Sequence, residues 1–387
     1  MQSASQAIAD SRTCNEALSR FQELLLKCGP GIEASRQKME NIYAGQTPRR
    51  PYVEFALTDS PQLPASRWAK TQWETGLCNA MSFAALQMQL LPQYDFVPYL
   101  SLRGPEDSGY IARLFGSEVQ NMGESGSSVV RHAISDASQV RTLVRPNIAE
   151  DPLMRSMAEQ ADWLADQIGT LVDILYPQLQ GPSTNALRIL PEEEGLVAVL
   201  TEPEEMEALA LMITDAMIEV IKTLRNAVNG RGRFRPRSRF CLPARVRGVM
   251  VDDYISVMSP DSYLEVFESS WALMNKELGE IFLHTCGPVY HLRDMLPRLP
   301  GLMGFEMAFV DGQRKTVNDL FKMKEALAGR ITLCSFGLPL DGVVNDQENL
   351  NARVLEELTK DGHFALQAFG TMEDADNLAG RLELDCR

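Results

Sequence analysis

Eight short apolar runs alternate with longer amphipathic stretches along the chain, and this order constrains the fold more than any other feature. The runs are Tyr52–Leu57, Tyr94–Leu100, residues 173–179, Arg239–Leu242, Glu280–His284, Gly304–Phe309, Ile331–Phe336 and His363–Gln367. Short runs separated by helical segments predict parallel strands joined by crossover helices. Eight such units predict an α/β fold of the (β/α)8 barrel type over residues 47–387. Pro98 weakens the second strand, because proline cannot donate to a ladder. Two helix starts are plain. Ser259-Pro260 supplies an N-cap and a proline at the first helical position. Thr201-Glu202-Pro203-Glu204-Glu205 places acids at the positive end of a helix dipole.

The ends and insertions are also legible. Residues 1–46 read as an N-terminal helical extension. Ala17, Phe21, Leu24, Leu25 and Cys28 recur at helical spacing, Gly29-Pro30-Gly31 is expected to stop that helix, and a second follows over Ile32–Tyr43. Residues 101–170 contain no evident strand and form an insertion after the second one, with Gly123–Ser128 as a flexible loop. Hydrophobic residues make up 45% of the 387 and charged residues 23%, values normal for a folded soluble chain. Thirty-seven Lys+Arg against 52 Asp+Glu give a net charge of −15, which argues against broad binding to nucleic acid or anionic membrane. The most apolar long stretch, Ala208–Leu224, carries Asp215, Glu219 and Lys222, so it reads as an amphipathic helix and not a membrane span. Met1–Asn15 lacks the basic-then-apolar pattern of an export signal. The seven cysteines are odd in number and scattered, as expected of reduced thiols in a cytoplasmic protein.

The segment richest in chemistry is His284-Thr285-Cys286-Gly287-Pro288, at the end of the fifth expected strand. Chemistry in such barrels collects at the C-terminal strand ends. In extended backbone, residues i and i+2 face the same side, so His284 and Cys286 point together. An imidazole and a thiolate are natural zinc ligands. Two ligands do not make a site, and Glu306 on the next strand is a chemically suitable third. Cys334 is a further candidate ligand, although its apolar neighbours also suit a small core residue. Asp252 and Asp253, ahead of Tyr254, can orient a substrate or act as general acid or base, or simply form a solvated loop. Arg231, Arg233, Arg235, Arg237, Arg239, Arg245 and Arg247 form a basic run. It either pairs with acidic surface or holds a carboxylated or phosphorylated ligand. Gly-rich nucleotide loops and a Gly-x-Ser-x-Gly elbow are absent.

Four pieces, in order and spacing, resemble the uroporphyrinogen decarboxylase superfamily over roughly residues 34–380. They are Ser35–Met39 through Gly45–Val53, Gln180-Gly181-Pro182-Ser183-Thr184-Asn185-Ala186, Val251-Asp252-Asp253-Tyr254-Ile255-Ser256 with Met258-Ser259-Pro260, and Leu283-His284-Thr285-Cys286-Gly287. The resemblance implies the same barrel, and it favours the branch of corrinoid-dependent methyltransferases acting on coenzyme M. True decarboxylases carry an Arg-rich segment after the first strand, where this chain reads Phe55-Ala56-Leu57-Thr58-Asp59-Ser60-Pro61. They also continue the eighth strand as Asn-Leu-Gly-His-Gly, where this chain reads Leu366-Gln367-Ala368-Phe369-Gly370. The methyltransferase branch adds a zinc-ligating cysteine near that strand, and this chain lacks it there.

The resemblance therefore implies a zinc-dependent methyltransferase with His284, Cys286 and Glu306 as ligands. Asp252 or Asp253 would orient the substrate, and Gln180 and Tyr254 would contact cofactor. The corrinoid would arrive on a separate protein, the acceptor would be a small thiol, and a homodimer fits the family habit. Two alternatives share the fold. One is a metal-independent decarboxylase or lyase acting on a small carboxylated substrate. The other is a non-catalytic barrel that binds a ligand or a corrinoid protein.

Overall fold

In a computed structural model of the chain, the residues described are 4–49, 51–57, 69, 71–91, 93–102, 107–121, 127–236, 238, 240–308, 317–327, 329–339 and 363–381. Thr58–Pro61, Arg237, Arg239, Phe309 and most of the Gly123–Ser128 loop fall outside them.

The architecture is mixed α/β, with parallel strands and many helices. The strands are β1 (Tyr52–Leu57), β2 (Tyr99–Ser101), β3 (Glu118–Asn121), β4 (Ser127–Arg131), β5 (Asp173–Leu175), β6 (Arg233–Arg235), β7 (Val246–Val251), β8 (Glu280–Thr285), β9 (Leu302–Ala308), β10 (Thr332–Pro339) and β11 (Phe364–Gly370). A six-stranded parallel sheet runs β1-β11-β10-β9-β8-β7, and a three-stranded parallel sheet runs β2-β5-β6. Among the described residues no ladder joins the two sheets. Single backbone bonds reach the large sheet from the segments flanking the small one, from Asp95 N, ahead of β2, to Val53 O at 2.9 Å and from Gly181 N, after β5, to Val251 O at 2.6 Å.

Three sequence expectations change. Phe240–Leu242, the described part of the expected fourth strand, is not in a strand. β6 and β7 lie on either side of it, because Arg233 and Arg235 turn toward the buried Asp173 and the apolar Val246–Val251 run pairs with β8. The insertion is not strand-free, since β3 and β4 form an antiparallel hairpin. Gly29-Pro30-Gly31 does not stop a helix, because one helix runs Cys14–Tyr43 with Pro30 inside it. A proline costs an interior helix about 3 kcal/mol. Here packing on both sides of Pro30 offsets that cost: Phe21 and Leu25 are buried before it, and Ile32 and Met39 after it. The helix is also pinned beyond the proline by Arg36, whose guanidinium donates to Asp173 at 2.9 Å.

The two predicted helix starts hold. Pro260–Leu278 begins behind Ser259, whose hydroxyl accepts from Ser262 N at 3.2 Å. Pro203–Val228 begins behind Glu202 with Glu204 and Glu205 in its first turn. No helix among the described residues is long and apolar enough to cross a membrane.

Register positions the chemistry. One rung of the large sheet reads Val251–His284–Glu306–Cys334–Ala365–Tyr52 across six neighbouring strands. The end of the Cys14–Tyr43 helix closes one side of this region. Met39, Ile42 and Tyr43 pack with Tyr52, Phe282, Cys334 and Ala365 in a buried apolar cluster.

Candidate metal centre

β7 and β8 run in parallel, with Val251 opposite His284. Two residues further on, just past the strand ends, stand Asp253, which opens a 3-10 turn, and Cys286. The outcome is a cluster of Asp253, His284 and Cys286, whose ligand atoms all lie within 4.8 Å of one another. His284 Nε2 is 3.2 Å from Cys286 Sγ, and Cys286 N donates to Asp253 Oδ1 at 2.9 Å. His284 is buried, Asp253 half-buried and Cys286 exposed, so the cluster opens outward through the thiol.

Glu306 and Cys334 do not join this cluster. Glu306 is fully buried behind the imidazole, with Oε1 3.2 Å from His284 Nδ1, while Oε2 accepts from Ser238 Oγ at 2.6 Å. Burial opposes charge on His284, but the carboxylate of Glu306 and the thiol of Cys286 outweigh it and push the imidazole up to about 10. Cys334 lies one strand beyond Glu306, in the apolar cluster with Tyr43 and Tyr52, and burial pushes its thiol well above the ordinary range. Both residues share the rung of His284, one pleat below Cys286, which is why a strand-by-strand reading selects them.

The paired aspartates face opposite ways. Asp252 is buried, with both carboxylate oxygens occupied. Oδ1 accepts from Ser183 Oγ at 2.7 Å, Thr184 N at 2.9 Å and Thr184 Oγ1 at 3.0 Å, and Oδ2 from Tyr263 OH at 2.8 Å. It ties the end of β7 to the Pro182–Ile189 helix rather than facing the cluster. Gly181 permits this approach, since a Cβ there would sit 2.5 Å from Asp252 Cβ. Asp253 points the other way, toward Cys286, while its amide donates to Thr184 Oγ1 at 3.0 Å. Gly287 serves the same corner, because a Cβ would overlap the Ser256 side chain, which itself donates to Asp253 O at 2.7 Å.

Gln180 precedes Gly181 and Tyr254 follows Asp253 in the chain. Gln180 is buried, its carbonyl accepts from Asn185 Nδ2 at 2.7 Å, and its Oε1 has no hydrogen-bond partner among the described residues. Tyr254 follows Asp253 directly, and burial, with Glu192 beside it, pushes its phenol up to about 12.

Sequence reasoning named Asp253 for substrate or acid–base work and not as a ligand, and it did not single out Ser238 or the buried Glu54. Asp253 enters the cluster only through the β7–β8 register, and placing β7 correctly would have found it. Ser238 sits in the Arg-rich stretch and carries no local signal. Glu54, in β1, is buried and accepts from Tyr52 OH at 2.6 Å. Burial is the largest influence on Glu54 and pushes its carboxyl up to about 8, despite the opposing pull of Arg235.

An imidazole nitrogen, a thiol sulfur and a carboxylate oxygen converging from two strand ends match the donor types and the three-ligand count of catalytic zinc sites. The carboxylate behind the histidine also matches, since metal-bound histidines ordinarily give their second nitrogen to such a group. No known family's profile matches the chain, and no curated protein matches it in sequence. Among solved structures, a methyltransferase from Methanosarcina mazei superposes with a TM-score of 0.58 at 16% identity, covering 90% of this chain and 98% of that one. At that identity the match establishes a shared fold.

Proposed function

We propose that this chain is a zinc-dependent methyltransferase, moving a methyl group between a corrinoid carried on a separate protein and a small thiol. The reading places it in the methyltransferase branch of the uroporphyrinogen decarboxylase superfamily. It includes closure of the two sheets into one barrel at the Val53–Asp95 and Val251–Gly181 bonds. The observation that carries it is the convergence of Asp253, His284 and Cys286 within 4.8 Å, with Glu306 on the far nitrogen of the imidazole. The fold shared with a methyltransferase supports it.

In this reading Asp253, His284 Nε2 and Cys286 Sγ hold the metal. Zinc bound there supplies Lewis acidity that lowers the pKa of an acceptor thiol. Glu306 fixes the tautomer and tilt of His284, and Ser238 fixes Glu306. Asp252 positions Asp253 by locking the backbone just before it. The exposed side of Cys286 is where an acceptor approaches.

Elemental analysis of the purified chain tests the metal directly. About one zinc per chain is expected in the parent, and none in a His284→Ala, Cys286→Ala double variant. Asp253→Asn should weaken metal retention while Glu306→Gln should alter it less. A parent grown with ample zinc that holds none would overturn the proposal. The search would then turn to metal-independent decarboxylation or to ligand binding without turnover. With zinc present, methylation of a small thiol by a methylcorrinoid is the activity to assay.

A further inference from the structure

The Arg-rich stretch divides according to what each side chain faces. Arg231 pairs with Asp162 and Asp166. Arg245 pairs with Glu40 at 2.6 Å and Glu280 at 2.9 Å. These two are ordinary surface cations with carboxylate partners. Two other arginines behave differently, and both line one cavity of about 510 Å3 together with Asn226, Asn229, Phe234 and Ala244. Arg225 gives NH1 to the neutral hydroxyl of Tyr176 at 3.2 Å and has no ion pair among the described residues. Among the described residues Arg233 reaches only Asp173, at 3.6 Å.

Asp173 holds Arg233 only loosely, because its Oδ1 is already taken by Arg36 and its Oδ2 has no hydrogen-bond partner among the described residues. Its Oδ1 accepts from Arg36 at 2.9 Å, and Arg235 NH1 stands 3.8 Å from Oδ2. Arg235 is 2% exposed, and none of its guanidinium nitrogens has a hydrogen-bond partner among the described residues. Three guanidiniums therefore share Asp173, with Glu33 3.8 Å from Arg36 and the buried Glu54 near Arg235 as further carboxyls, behind a cavity with no acidic side chain among the described residues that line it. This occurs in a chain with 52 Asp+Glu. Glu40, which accepts from Ala244 N at 3.2 Å, is held by Arg245. The helix end beside the cavity does not supply the missing negative charge freely either. Arg231 covers the carbonyls of Ala227 and Val228 at 3.1 Å each. Phe234 adds a flat wall, stacked on Tyr176 at 4.7 Å between centroids.

We propose that this cavity is a second ligand site, taking a small oxyanion of the phosphate or carboxylate class on Arg225 and Arg233. Guanidinium forks match such groups, and charge-assisted hydrogen bonds are the strong ones. The site is separate from the metal centre. It lies by Ala244, ahead of β7, whereas Asp253 follows the far end of that strand, about 20 Å of extended chain away.

Calorimetric titration of the full chain with inorganic phosphate and, separately, with citrate tests the proposal, at constant ionic strength set with chloride. Saturable binding of at least one is expected, and which one binds separates phosphate from carboxylate recognition. Arg225→Gln and Arg233→Gln should each weaken binding by about tenfold or more, the loss of one charge-assisted contact. Ala244→Glu leaves both arginines in place and sets a competing carboxylate at the cavity wall. It should abolish binding, and it carries the test if the arginine variants fail to fold. His284→Ala should bind as the parent does. Absence of saturable binding by either anion would overturn the proposal. So would undiminished binding in Ala244→Glu, or loss of binding in His284→Ala, which would move the anion to the metal centre.

Discussion

Glu54 offers the sharpest test of the electrostatics in the protein interior. Burial is the dominant influence on its carboxyl, and Arg235, the Tyr52 hydroxyl and the Cys241 amide oppose it without prevailing. The outcome is a carboxyl raised from 4.5 to about 8, so the folded chain keeps a proton there that the unfolded chain releases. Wherever the folded state binds more protons than the unfolded state, stability falls as pH rises. The contribution is therefore fully present below 4.5 and lost as pH climbs through about 8. At 1.36 kcal/mol per unit, the whole swing is about 5 kcal/mol, of which about 3 kcal/mol falls between pH 5 and pH 7.

Glu54→Gln keeps the shape and an acceptor for Tyr52 while removing the titration. Urea unfolding followed by tryptophan fluorescence, repeated across pH 5 to 9, compares the two proteins. Other titrating groups contribute alike to both, so the difference isolates Glu54. The parent should lose stability relative to the variant as pH rises, and the variant should be the more stable above pH 8. A difference that stays flat with pH would refute the reasoning. It would mean that Glu54 is ionised throughout against Arg235, and that attraction, not burial, governs this interior.

Two further substitutions probe the frame around the metal centre. Asp252→Ala strands the Thr184 amide, which cannot turn to another acceptor, along with three hydroxyls that can. A loss of about 3–5 kcal/mol is expected in urea or thermal unfolding, and a loss under 1 kcal/mol would show that this corner rearranges freely. Gly304→Ala drives a Cβ into the Tyr43 hydroxyl and to 2.8 Å from Phe282 Cδ2. It should cost about 1–3 kcal/mol, with partial recovery when Tyr43→Phe is added. No recovery would place the strain at Phe282 instead.

The sequence by itself determined most of what depends on neighbours in the chain. Alternating apolar runs and amphipathic stretches are set by local backbone periodicity, so seven of the expected strands appear near their predicted places. The Ser259-Pro260 helix start is a contact over three residues. The His284–Cys286 pair follows from the pleat of a single strand. What the sequence missed depends on register between distant segments. Asp253 meets Cys286 because β7 pairs with β8 across more than thirty residues of chain, and β7 was hidden by Arg247 and Gly248 in an otherwise apolar run. β6 looked like a solvated basic loop, since only the fold brings Asp173 beside Arg233 and Arg235. Pro30 remained inside a helix because packing on both of its sides outweighs a local penalty. Glu306 and Cys334 were well placed by strand but not by level, and only the stacked rungs of the sheet decide which side chains reach the open end.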